Sequence, residues 1–174
     1  MKIEVAETAD AQVLPDIERS SGEAFRQLPS LAWIADDDVQ SVERHLELIE
    51  LRQAWVARHE HGIVGFLSAE RFVNSLHIWQ MAVHSDFQKK GIGRALIDEA
   101  RKAAAFVGLT NLTLTTFRHV AWNEPFYASC GFRTLTPNDL GERLKAILDA
   151  EERVGLPRDQ RCAMSCSILE RGSV

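Results

Sequence analysis

The chain has 174 residues, 45% of them hydrophobic and 26% charged, with a formal net charge of −5 at pH 7. That balance fits one folded domain over residues 1–174 and excludes a disordered chain. The acidic total argues against nucleic acid as a partner, and no apolar run approaches the ~18 residues of a membrane span.

Residues 2–6 read as a first strand, and residues 10–26 as a helix carrying Val13, Leu14, Ile17 and Phe25, with Gly22 a point of interruption. Leu28, Pro29 and Ser30 break the pattern. Val42, His45, Leu46 and Ile49 mark a second helix, with Ser41 or an upstream Asp as its cap. Strands follow at 54–58, 63–72 and 76–83, with a turn at His61-Gly62 and a bulge expected at Gly65. Loops this short predict antiparallel hairpins. A long helix spans 90–107, its buried face predicted as Ile92, Leu96, Ala100, Ala103 and Val107, with Gly108 as the stop. Then come a strand at 111–117, a short helix at 125–129 ended by Gly131, and a strand at 132–135. A helix through Leu140, Leu144, Ile147 and Leu148 and a final strand at 161–169 complete the order βααβββαβαβαβ. The class is α+β with a mixed, mostly antiparallel sheet, and the strand–helix–strand crossover makes 76–83 and 111–117 parallel.

The segment richest in chemistry is Gln88-Lys89-Lys90-Gly91-Ile92-Gly93-Arg94, lying between a strand and the long helix. Glycines let a ligand approach the backbone, and the first N–H groups of a helix lack internal partners. The helix dipole and the cations Lys89, Lys90 and Arg94 add positive charge, so the turn suits a pyrophosphate. Cys130, Cys162 and Cys166 are an odd set without metal-ligand spacing, which suggests buried reduced thiols. With no apolar leader core in the first ten residues, a cytoplasmic location is expected.

Three features together resemble the GNAT superfamily of acetyl-coenzyme-A-dependent N-acetyltransferases. They are the Gln88-x-x-Gly91-x-Gly93 signature, the strand Trp79-Gln80-Met81-Ala82-Val83 before it, and Phe126-Tyr127-x-x-x-Gly131-Phe132 after it. The resemblance implies helices on both faces of the sheet and a splay between strands 76–83 and 111–117 that admits the coenzyme. It implies that the pantetheine meets the backbone of Met81, Ala82 and Val83, and the pyrophosphate the N–H groups of residues 88–94. The cosubstrate would be acetyl-CoA, no metal is expected, and the acceptor would be a primary amine of a small molecule or peptide. Homodimers are common in the family, and no membrane partner is implied.

Acetylating an amine requires removing its proton, polarising the thioester carbonyl and protonating the departing thiolate. The resemblance puts Tyr127, the sole tyrosine, in the acid's place. His77 stands where several members carry a glutamate base, and an imidazole suits that role near neutral pH. Glu70, Glu124 and a water relay are rivals. Backbone N–H groups at 81–83 would serve the oxyanion. Val120 occupies the place of the family's coenzyme-contacting asparagine, and Asn123 either substitutes for it or caps the next helix. Residues 20–38, including Phe25, Arg26 and Trp33, would wall the acceptor pocket, where Asp36-Asp37-Asp38 either attracts a cation or is a solvated helix start.

A non-catalytic acetyl-CoA-binding regulatory module is the chief alternative reading. A P-loop nucleotide hydrolase lacks its Lys-Ser/Thr here, since Gly93 precedes Arg94 and Ala95.

Overall fold

Short β-branched and aromatic runs separated by tight turns become seven strands: β1 (Lys2–Val5), β2 (Ala54–His59), β3 (Gly62–Arg71), β4 (Ser75–Val83), β5 (Asn111–Phe117), β6 (Arg133–Thr134) and β7 (Arg161–Ser167). The helices are α1 (Leu14–Gly22), α2 (Val42–Glu50), α3 (Ile92–Phe106), α4 (Glu124–Ser129) and α5 (Glu142–Arg153). The structure is a computed structural model that describes residues 1–60 and 62–168, so His61 of the expected turn and Leu169 of the expected last strand lie outside the described residues. The sheet order is β1-β2-β3-β4-β5-β7-β6. The class expected from sequence, a mixed and mostly antiparallel α+β sheet, is the one observed. The chain divides into two units, Met1–Glu70 with Trp79–Lys102, and Arg71–Ile78 with Ala103 onward.

In the first unit β1, β2 and β3 pair antiparallel. Ala11, Leu14, Ile17, Ile49, Val56, Phe66 and Ala82 form a core beneath α1 and α2. A leucine such as Leu14, fully buried, stabilises by roughly 1.5–3 kcal/mol. The register jumps where Ala57 faces Gly65 but Arg58 faces Ile63, which leaves Val64 extra and places the expected bulge beside Gly65. A Cβ on Gly65 would lie 3.1 Å from the Ala82 carbonyl and 3.3 Å from Ile92 Cγ2. Gly65 thus faces α3 while its neighbour Phe66 faces α1 and α2, so helices cover both faces.

Residues 10–26 are not one helix. They break into a 3-10 turn Thr8–Gln12, α1, and a second 3-10 turn Glu23–Gln27. Pro15 lacks the N–H that an upstream turn would need and suits a helix's first turn, so the α-helix starts at Leu14. A further 3-10 turn, Ala32–Asp36, carries no signal in the sequence. Of the two expected caps Ser41 is the one used, its hydroxyl accepting from the Arg44 N–H at 3.2 Å.

In the second unit β4 and β5 run parallel over Ser75–Ile78 against Asn111–Leu114. β7 is antiparallel to the whole of β5, and Leu144 and Leu148 of α5 pack on Ala163. Gly108 ends α3 at φ +75°, where its N–H bonds the Ala105 carbonyl and that of Leu109 bonds Ala104, both at 3.0 Å. The buried face of α3 is Ile92, Leu96, Ile97, Ala100 and Ala104. Val107 is 45% exposed, because it lies past the helix end where the chain turns at Gly108. The strand expected at 132–135 shrinks to Arg133–Thr134, since the Phe132 N–H is used on the Tyr127 carbonyl at 3.1 Å. Cys130, Cys162 and Cys166 are buried and form no disulfide among the described residues, and burial pushes Cys162 up to about 11.

Candidate active site

In the first unit, β4 leads through a 3-10 turn at Ser85–Phe87 into the glycine turn and α3. Lys89 takes φ +59° and Gly91 φ +82°, the left-handed conformation that reverses the chain. The Gly91 carbonyl accepts from the Ala95 N–H at 3.0 Å and so closes the first turn of α3. The N–H groups of Ile92, Gly93 and Arg94 precede that ladder at the positive end of a 15-residue helix. A Cβ on Gly91 would meet nothing within 4 Å, so the space before it is open. Glycine is required there by its φ and by whatever approaches the backbone. Lys89, Lys90 and Arg94 are exposed around this turn. Lys90 reaches the Asp86 carbonyl at 2.9 Å and lies 4.9 Å over the Phe87 ring. Gln88 folds back, its Nε2 donating to the Val83 carbonyl at 3.1 Å. Met81 and Val83 are half-buried and Ala82 is buried against the core.

The same unit contains a carboxylate that no sequence pattern singles out. Glu18 of α1 accepts from Gln80 Nε2 on β4 and from the Gln40 N–H at 3.2 Å. Burial raises its carboxyl above the usual range, with the Gln40 and Gln80 hydrogen bonds opposing the rise. Gln40 is held in turn, its Nε2 standing 2.8 Å from His45 Nδ1 and 3.4 Å from Ser68 Oγ. His45 is fully buried, and burial lowers it to about 4. Two residues after Glu18, the Ser20 hydroxyl accepts from the Ser85 N–H at 3.1 Å and ties α1 to the segment entering the glycine turn.

Glu70 is committed, taking Arg44 at 2.7 Å and the Trp79 indole N–H at 2.8 Å. Asp36 is clasped by both terminal nitrogens of Arg26, at 2.9 and 2.8 Å. The acidic run therefore ends a 3-10 turn with its first member neutralised, and it starts no helix.

In the second unit His77 is fully buried, with Nδ1 3.0 Å from Thr113 Oγ1. Arg143 approaches from α5, donating to Ser75 and Thr113 at 3.1 Å and stacking on Phe72 at 4.2 Å. Burial, and then the Arg143 charge, push His77 down to about 3. An imidazole that gives up its proton so readily is a poor acceptor of one, so these surroundings favour a structural role for His77 over the expected role as base. Tyr127, on α4, is 9% exposed with the Phe126 and Phe132 rings edge-on at 5.2 and 5.7 Å. Burial pushes its phenol up, and the phenol stays protonated at any ordinary pH. Asn123 precedes α4 but makes no side-chain cap, because its Oδ1 accepts from Thr116 at 2.8 Å. Glu124 takes Thr134 and the His119 N–H. Although burial raises it, those hydrogen bonds leave it below the usual range.

The first unit thus offers a cationic glycine turn at a helix N-terminus, an adjoining strand backbone and a half-buried carboxylate, and the second offers a protonated phenol. The sequence profile of the acetyltransferase (GNAT) domain matches residues 50–134. The chain is 28% identical over 107 residues to the uncharacterized N-acetyltransferase YvbK of Bacillus subtilis strain 168, covering 62% of this chain and 68% of that protein. Its fold is that of the PaiA N-acetyltransferase of Thermoplasma acidophilum, solved with coenzyme A: TM-score 0.71 and 18% identity, over 95% of this chain and 98% of that one. The ribosomal-protein-S18-alanine N-acetyltransferase of Escherichia coli superposes at TM-score 0.66 and 18% identity, over 99% of this chain and 96% of that one. The glycine turn, the strand before it and the Phe126–Phe132 motif all fall inside the matched residues. Residues 50–134 thus carry the match to a GNAT acetyltransferase domain, and the findings together support an acyltransferase.

Proposed function

We propose that the chain moves an acetyl group from acetyl-CoA to a primary amine of a small molecule or peptide, by direct attack in a ternary complex. The observation that carries this reading is the turn at 88–94, which has two left-handed residues, three cations and open space before Gly91 at the start of α3. Gln88, Lys89, Lys90, Gly91, Ile92, Gly93 and Arg94 would hold the pyrophosphate. The backbone of Met81, Ala82 and Val83 would receive the pantetheine like an added strand. The Gln88 side chain already holds the Val83 carbonyl, so Met81 and Ala82 supply the remaining groups. Asn123 is a further coenzyme contact in this reading.

Acetyl-CoA supplies an activated acyl carbon and a thiolate leaving group. The N–H groups of β4 would meet the negative charge that grows on the carbonyl oxygen. Tyr127 would donate its phenolic proton to the departing sulfur. Burial keeps the phenol in its protonated form, so the proton is in place when the sulfur departs. The fold of the coenzyme-A-bound Thermoplasma relative supports the coenzyme assignment.

The test is calorimetric titration with acetyl-CoA, followed by thiol release in the presence of primary amines. Saturable binding and amine-dependent thiol release are expected. Binding without release from any amine would favour the regulatory module instead.

A further inference from the structure

Glu18 is a half-buried carboxylate gripped by two neutral amides, and it makes no ion pair among the described residues. A charge withdrawn from water ordinarily needs a partner of opposite sign. The cations around it are committed elsewhere. Arg19, next on α1, pairs with Asp16 at 2.8 Å and acts on Glu18 only as a nearby charge that lowers its carboxyl. Arg26 holds Glu23 and Asp36, and Arg44 of α2 holds Glu47 and Glu70. His45 of α2, behind Gln40, is neutral. A carboxylate has about four acceptor directions, and Gln40 and Gln80 take two. Two acceptor directions remain, which would suit a small cation with several N–H donors.

We propose that Glu18 receives the ammonium group of the acceptor and removes its proton. This rests on the acetyl-CoA reading, because Gln80 immediately precedes the strand residues assigned to the pantetheine. Gln40 and His45 are positioning residues. The Gln40 backbone N–H holds Glu18, and the buried ring of His45 anchors the side chain of that same residue. The ammonium gives one proton to Glu18. The freed nitrogen forms the C–N bond, and the C–S bond breaks with its electron pair left on sulfur. The nitrogen sheds a second proton as the amide forms, which balances the one the sulfur gains. The proton on Glu18 returns to water. Burial raises the carboxyl, which makes Glu18 a stronger base than an exposed glutamate.

The test uses the full chain, Glu18→Gln and Glu18→Asp, with acetyl-CoA and three primary amines: n-butylamine, putrescine and glycylglycine. Glu18→Gln should keep acetyl-CoA affinity within about twofold and cut kcat/KM roughly 100-fold on each amine the wild type accepts. It should also erase the acidic limb of the kcat/KM–pH profile, while Glu18→Asp restores part of the rate. Its melting temperature should hold or rise, because an uncompensated charge is removed. Independently of turnover, the Glu18 carboxyl 13C resonance should move when n-butylammonium is added. Unchanged kcat/KM and pH profile in Glu18→Gln, or a resonance still at saturating n-butylammonium, would overturn the proposal. Failure of the wild type to bind acetyl-CoA would count against the acetyl-CoA reading instead, and the resonance would still decide Glu18.

Discussion

Glu18 and His77 lie in different units, and both are pulled out of water, with opposite consequences. Burial disfavours whichever form carries charge. For Glu18 that form is the base, so burial strengthens its hold on a proton. For His77 it is the conjugate acid, so burial weakens that hold, and Arg143 weakens it further. The lesson is that a deep pocket makes a better base of a carboxylate and a worse one of an imidazole. The histidine's suitability near neutral pH holds only while it stays wet.

The contrast presumes that the donor lies along the first unit, and the largest expected effect tests that. Gly91→Val should weaken acetyl-CoA binding by at least about 100-fold in a calorimetric titration. A branched side chain is strained at φ +82° and fills the open space in front of the turn. Unchanged affinity would remove the coenzyme from this turn. Next in size is the direct comparison of bases. Glu18→Gln should lose roughly 100-fold in kcat/KM, whereas His77→Gln should stay within about threefold. A reversed order would restore His77 as the base. Tyr127→Phe should lower kcat by about tenfold or more with little change in acetyl-CoA affinity, and equal turnover would reject the phenol as acid.

The smallest effect is on stability. Unfolded His77 gains a proton near ~6.5, whereas the folded residue gains one only near about 3. Between those values the unfolded chain binds more protons, so stability falls as pH falls. His45, lowered to about 4, adds to the same slope. Melting temperatures from pH 7 to pH 4 should therefore decline, and less steeply in His77→Gln. Equal slopes would mean that His77 charges freely in the fold.

The glycine turn was legible because all its parts are local: strand, two glycines, cations and helix lie within 16 consecutive residues, 79–94. The antiparallel strands, the Gly65 bulge and the Ser41 cap were legible for the same reason. Glu18 was not, because its partners Gln40 and Gln80 stand 22 and 62 residues away, and nothing in its own neighbours reports them. For His77, strand alternation marks a side of the sheet but not what covers it. Thr113, 36 residues on, and Arg143 of α5 decide that. The acidic run misled because local pattern does not reveal a clasp from Arg26, ten residues earlier.

The Ser20–Ser85 hydrogen bond makes the glycine turn and the helix bearing Glu18 mechanically continuous. A coenzyme that stiffens the turn would stiffen the first substrate-facing helix through one hydroxyl, before any amine arrives. Loading of the donor would then set the acceptor's seat, and the two substrates would board in a fixed sequence, donor first. An alanine at position 20 cuts that tether while leaving both ends in place.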